Sequence, residues 1–317
     1  MKNRFSRLGF CYAMLLIVTT AMQVFWTSLM IMYDVDLGSS DLGLAFSVVV
    51  PMYLCAVPLF LLMRGWAQAP VQIWKDGIPE IKSLGVGKNF GFGGWVAIVV
   101  ISLGTVYIGN FVGMGVMKLF EVILGRSYGN ELDALVGETS PNTVLVLMVI
   151  LAPIIEEVLF RKVLLDRLKL YDERTGICLS AYLFGIVHGN FWQFFYAFAL
   201  GLIFAYVYTK TRKVHHTILL HMMINFIGGY IPSLTAGLPE DSGLLQTANT
   251  VMGLVAMAAM AATVVLLIVL RKRIRLRKGV AAFPDGHVFR RVYLNPGMLL
   301  FSAVGFALFA ASVLAPA

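Results

Sequence analysis

Apolar stretches recur along this 317-residue chain at 9–33, 43–63, 93–117, 143–165, 176–191, 193–209, 214–232, 246–270 and 296–314. About 20 apolar residues in a helix cross the roughly 30 Å hydrocarbon layer of a bilayer, and inside lipid each backbone N–H and C=O must find its partner within the segment. The chain therefore reads as all-α, a polytopic transmembrane helical bundle of about 8–9 spans. The fifth and sixth stretches are short and nearly continuous, so the count is loosest near 185–196. With 59% of residues hydrophobic and only 13% charged, lipid is the solvent for most of the surface.

Charge at the ends of these stretches sets an orientation. Lys2, Arg4 and Arg7 precede the first; the connection near 33–41 is acidic; Arg64, Lys75, Lys82 and Lys88 follow the second. Residues 118–142 are again acidic on balance, and RKRIRLRK at 271–278 holds six basic residues of eight. Basic connections stay on the cytoplasmic side. The net charge of +8 is thus explained by topology and by anionic lipid at the basic cytoplasmic loops, and it argues for no nucleic acid partner. The first stretch, Gly9 to Tyr33, is too long for a signal-peptide core and reads as a retained span. GVGKNFGFGG at 85–94 lacks the order and the strand–helix setting of a dinucleotide site and reads as a flexible approach to the third span. Cys11, Cys55 and Cys178 have neither disulfide nor metal-ligand spacing.

Charged and polar residues inside a bilayer are costly and usually face a bundle interior or an aqueous cavity. Three groups stand out. Glu156 and Glu157 point about 100° apart on a helix, and Arg161 lies one turn beyond Glu157 at ion-pair spacing. Phe184 and His188 share a helical face, as do His221 and Asn225, whereas His215 and His216 sit beside basic residues at an interface. At about 1.5 Å per residue, Glu156, His188 and His221 lie about 14, 18 and 11 Å from the cytoplasmic ends of their spans, so a polar catalytic cavity in the cytoplasmic half is open to them.

A carboxylate with an imidazole can activate water, and His221 with Asn225 can donate hydrogen bonds to an oxyanion. Glu and His are also zinc ligands, but HExxH is absent, so no metal and no cofactor are assigned. Snorkelling glutamates paired structurally with Arg161 and Lys162 remain the simpler alternative.

The ordered set EExxxR at Glu156, Glu157 and Arg161, FxxxH at Phe184 and His188, and HxxxN at His221 and Asn225 resembles the CPBP family of intramembrane glutamic endopeptidases. That family includes the CAAX prenyl proteases and relatives linked to bacteriocin processing or self-immunity. The resemblance covers about 143–232, and divides the chain into N-terminal spans (1–142), a CPBP-like catalytic core (143–232) and C-terminal spans with the basic connection (233–317). It implies that Glu156 activates water with His188, that His221 and Asn225 stabilise the oxyanion, that Glu157 and Arg161 organise the site, and that Phe184 shapes the cavity. The substrate it implies is a membrane-associated or prenylated protein or peptide, cleaved in a bacterial cytoplasmic (inner) membrane. A noncatalytic peptide-binding or self-immunity protein is the alternative, and a transporter a third reading.

Overall fold

The computed structural model describes residues 2–34, 41, 45–67, 90–279 and 287–314. Most of the acidic 33–41 connection, the basic residues Lys75, Lys82 and Lys88, and residues 85–89 of the glycine-bearing stretch lie outside the described residues.

The described residues are helical throughout their regular elements. In chain order these are α1 (Lys2–Met32), α2 (45–63), α3 (Gly91–Leu124), α4 (Glu131–Glu138), α5 (Pro141–Leu168), α6 (Glu173–Ile186), α7 (Phe191–Thr211), α8 (Val214–Thr235), α9 (Gly243–Arg273), α10 (Val288–Val292) and α11 (Pro296–Leu314). Seven of them, α1, α3, α5, α7, α8, α9 and α11, are long and apolar enough to cross a membrane. The chain is therefore a polytopic helical membrane protein.

The two remaining sequence stretches, 43–63 and 176–191, form shorter helices. α6 has 14 residues, most of them buried. At 1.5 Å per residue it is about 21 Å long, short of the hydrocarbon thickness, and its apolar character serves packing against neighbouring helices rather than lipid. Pro51 lies inside α2, whose first part is π-helical; a ring without an N–H disturbs the regular α ladder there.

Turn chemistry fixes the helix ends nearest the cavity. Ser140 caps α5, its Oγ accepting from Thr143 N at 3.3 Å, with Pro141 in the first turn. Gly189, at φ +67°, turns the chain out of α6, and Asn190 Oδ1 accepts Gln193 N at 2.9 Å to start α7.

Lipid tails are as apolar as the side chains, so helices in a bilayer hold together by close packing and interhelical hydrogen bonds rather than by hydrophobic burial. α1 packs along α11 and α2, α7 along α3 and α6, and α9 along α3. At the α1/α11 seam a Cβ on Gly9 would stand 2.3 Å from Met298 N, and one on Gly297 would stand 1.8 Å from Ser6 O. The backbones meet where neither residue carries a side chain. Aromatic rings fill the space behind the seam: Tyr12 lies 4.8 Å from Phe60 and 5.3 Å from Phe160 between ring centroids. Its hydroxyl donates to Leu159 O at 2.8 Å, which ties α1 to α5 just beyond the two glutamates.

Candidate functional site

α5 supplies the acids. Its first half, Val144–Leu151, is π-helical, the two glutamates close an α-helical stretch, Ala152–Glu157, and Val158–Val163 is π-helical again. The widened turns have a consequence in the backbone. Ala152 N–H reaches back to Leu147 O, so the next donor in that register, for Met148 O, is residue 153. Residue 153 is proline and has no N–H. Asn225 Nδ2, on α8, donates to Met148 O at 2.7 Å instead. One amide hydrogen of Asn225 is thereby committed to binding α8 to α5.

The adjacent acids lead different lives. Glu157 is fully buried, with Oε2 3.1 Å from Arg161 Nε and Oε1 3.1 Å from His221 Nδ1. Arg161 is equally buried, its guanidinium 4.2 Å from the Phe184 ring centroid and 5.6 Å from that of Phe204. Among the described residues, Arg161 NH1 and NH2 make no hydrogen bond. Charge compensation by Glu157 and the faces of two aromatic rings hold this cation in place. Lys162 turns away to Asp166 at 2.6 Å, so it neutralises neither glutamate.

Glu156 instead lines a 440 Å³ cavity together with His188, His221 and Asn225. Its side chain retains 17% exposure, and its carboxylate stands 3.9 Å from His221 Nε2, beyond direct hydrogen-bond reach but within the span of one bridging water. Because the ionised Glu157 carboxylate only accepts, His221 carries its hydrogen on Nδ1 and turns Nε2 toward Glu156.

His188 is oriented from behind in the same manner. Its Nδ1 lies 2.7 Å from Phe184 O. A carbonyl cannot donate, so Nδ1 is the protonated nitrogen and neutral Nε2 keeps a lone pair. The sequence places Glu156 opposite His188; in the structure they line one cavity but share no hydrogen bond, and the nearer imidazole to Glu156 is that of His221. His215 and His216 meet edge to face, with His216 4.6 Å from Trp95, outside the cavity lining.

The cavity runs from these groups away from the basic helix ends, toward Asn130, Asp133 and Pro232. Its walls add polar groups that the motifs do not contain: Tyr53 from α2, Tyr107 and Asn110 from α3, and Gln193 and Tyr196 from α7. The sequence carries one signal for them, a hydroxyl or amide in the middle of an apolar run, but nothing that orients it. Among the described residues, no group of three His, Cys, Asp or Glu side chains is placed to hold a metal ion.

A bundle of membrane-spanning helices around a buried, carboxylate- and imidazole-bearing cavity defines an integral membrane protein with an enclosed polar site. Residues 139–227, which carry all the site residues, match the family model described as type II CAAX prenyl endopeptidase Rce1-like. Over these residues, about a quarter of its length, the chain is similar to the CPBP/CAAX protease family. Over 181 residues it is 25% identical to the Bacillus subtilis (strain 168) protein named "Putative membrane peptidase YdiL", covering 56% of this chain and 67% of that one. Over 87 residues it is 31% identical to "UPF0177 protein YbdJ" of Lactococcus lactis subsp. lactis (strain IL1403), covering 27% of this chain and 37% of that one. No solved structure matches the chain significantly.

Proposed function

We propose that this protein is a glutamic-type intramembrane endopeptidase that hydrolyses a peptide bond in a membrane-associated or prenylated protein or peptide. The observation that carries the proposal is the division of labour within the acid pair: Glu157 is sealed behind the site with Arg161, and Glu156 presents its carboxylate to the cavity. Similarity of residues 139–227 to a membrane endopeptidase family supports the reaction class. The bacterial relatives support a bacterial cytoplasmic (inner) membrane as its location.

In this reading a water sits between the Glu156 carboxylate and His188 Nε2. Glu156 takes a proton as the water oxygen attacks the peptide carbonyl carbon. Negative charge moves to the carbonyl oxygen. His221, held by Glu157 through Nδ1, can donate to that oxyanion through Nε2 only when both ring nitrogens carry hydrogen, and Asn225 donates its second amide hydrogen. Glu156 then returns the proton to the amide nitrogen, the C–N bond breaks as the oxyanion re-forms the carbonyl, and a carboxylic acid, which keeps the water's other proton, and an amine leave. Phe184 supports Arg161 with its ring and His188 with its carbonyl. Glu157, Arg161 and Phe184 are thus positioning residues.

Purified protein reconstituted in liposomes is tested against a library of membrane-anchored peptides, with and without a prenyl group. Loss of general acid–base function costs on the order of 10²–10⁴-fold, so Glu156→Gln and His188→Ala are expected to lose cleavage by such factors. Equal cleavage by wild type and both variants would sink the assignment.

A further inference from the structure

The two ends of the bundle differ in charge. At one end Arg4 donates to Arg167 O, Arg7 Nη1 donates to Trp66 O at 3.2 Å, and Glu173 pairs with Lys210 and accepts the Arg277 N–H of the basic run at 2.9 Å. At the other end Ser140 Oγ donates to the Asp41 carboxylate at 2.9 Å, and Asn130 Nδ2 donates to that of Asp133 at 2.9 Å. Basic connections stay on the cytoplasmic side, so the second end faces away from the cytoplasm.

The 440 Å³ cavity is one-sided with respect to these ends. On α5 its lining runs from Glu156 through Ala152 to Leu147, toward Pro141; on α8 from His221 through Asn225 to Pro232, toward Thr235; on α7 from Leu200 through Tyr196 to Trp192, toward Phe191. All three paths lead to the noncytoplasmic end. Exposure rises along them: Phe184, Leu200 and Ile224 are 2%, 3% and 5% exposed at the bottom, whereas Asp133, Gly228 and Pro232 at the top are exposed. The cavity is a well whose floor is the acid and its imidazoles.

Below the floor, toward the cytoplasm, the bundle is sealed. Glu157 and Arg161 are fully buried, and so are Phe160, Phe204, Val207 and Thr217 on the same three helices. These side chains leave no surface open to water between Glu156 and the basic face.

We propose that substrate and water reach Glu156 from the noncytoplasmic face, down this well, so that the cleaved bond belongs to a segment presented outside the cytoplasm. From His221 to Pro232 α8 rises about 16 Å. An extended chain at about 3.3 Å per residue covers that depth with about five residues. A helical segment keeps its carbonyls in its own hydrogen bonds, whereas an extended one leaves a carbonyl free for Asn225. A segment held on the cytoplasmic side meets the sealed face and is not cut. The route stands on the shape of the cavity, and a peptide as its occupant rests on the peptidase reading.

The full chain is expressed with Cys11→Ala, Cys55→Ala and Cys178→Ala, and one reporter cysteine is added at a time. Gly228→Cys sits at the rim, where a Cβ meets nothing within 4 Å; Ala152→Cys and Leu147→Cys sit on the wall; Arg290→Cys marks the basic face. Spheroplasts and inverted membrane vesicles are treated with a small membrane-impermeant thiol reagent. The wall reporters are expected to label in spheroplasts, as Gly228→Cys does, and to lose labelling in inverted vesicles, where Arg290→Cys reacts. Wall labelling in inverted vesicles overturns the proposal, and so does wall labelling in neither preparation when both reporters react after denaturation. A membrane-anchored reporter peptide displayed on the outer face of the same cells should be cleaved by the chain with its native cysteines, and the same peptide on the cytoplasmic face should not; cleavage of the cytoplasmic reporter alone also overturns the route. Labelling needs no turnover, so wall labelling from outside in a protein that cleaves neither reporter would sink the peptidase reading and leave the route standing.

Discussion

Glu156→Gln and Glu157→Gln are the same chemical change one residue apart, and the structure gives them opposite consequences. Among the described residues the Glu156 carboxylate makes no direct hydrogen bond, and His221 Nε2 stands 3.9 Å from it. Its amide replacement should fold with stability changed by less than about 1 kcal/mol, in the range of substitutions that touch no buried network. Glu157 stands 3.1 Å from Arg161 Nε with both side chains fully buried. At an effective dielectric of about 20, unit charges at that separation attract by about 5 kcal/mol. Removing one partner of a buried pair and stranding the other costs about 3–5 kcal/mol, in line with that figure. Glu157→Gln should therefore be destabilised by about 3–5 kcal/mol, and Glu156→Gln should be stable but inactive. SDS-driven unfolding in mixed micelles, run alongside the peptide-cleavage assay on the same preparations, reads both quantities. The reasoning is refuted if the two variants unfold alike, or if Glu156→Gln cleaves normally while a fully stable Glu157→Gln does not.

Adding Arg161→Met to Glu157→Gln removes the stranded cation, and the double variant should unfold later than Glu157→Gln alone in the same micelles. Asn225→Ala should cost on the order of 0.6–2 kcal/mol through its lost bond to Met148 O, and about 10²–10³-fold in kcat if its second hydrogen meets the oxyanion; a stability loss with unchanged kcat would confine Asn225 to holding α8 against α5. Outside the membrane, hydrogen bonds from the Ser140 and Thr143 hydroxyls and the Ser140 N–H hold the Asp41 carboxyl below its ordinary value. The sign follows: a depressed carboxyl stabilises the cap of α5 above the ordinary value near 4 and stops doing so as pH falls through its own lower one. Amide exchange at 140–144 should accordingly be faster in Asp41→Asn than in wild type at pH 7, with the difference vanishing in acid. Peptide cleavage should survive dialysis against excess chelator, and its loss with recovery on adding zinc would replace the metal-free mechanism.

The parts of the site legible in the sequence are those that helical geometry alone determines. Glu157 and Arg161 lie one turn apart on one helix, so their pairing follows from spacing. The meeting of Glu157 with His221 joins residues 64 apart and depends on how α5 and α8 cross, which no local pattern encodes. The same limit applies to Glu156 and His188, which line one cavity: depth along separate helices can be counted, but azimuth cannot. The π-helical turns on either side of the acids add to this, because they shift the angular register from the 100° per residue that the sequence reading assumes. Tyr53 and Tyr196 carry no such signal, because a tyrosine in an apolar run is equally at home against lipid headgroups or in a cavity. The helical bundle itself was legible from apolar length; the shortness of α6 was not, since a buried helix and a lipid-facing one are equally apolar.

The seam between α1 and α11 bears on how the protein is made. Gly9 and Met298 are backbone neighbours across the bundle, and Gly297 N donates to Ser6 Oγ at 3.1 Å over a sequence separation of 291. A ribosome delivers α1 to the bilayer long before α11 exists. Until α11 arrives, the face of α1 that carries Tyr12 has lipid where Phe301 will be, and the Tyr12 ring that abuts Phe160 beside the acids lacks one of its walls. Completion of the site is thus timed by the synthesis of α11: a chain arrested after α9 would hold every site side chain and lack the helix that closes the scaffold around them.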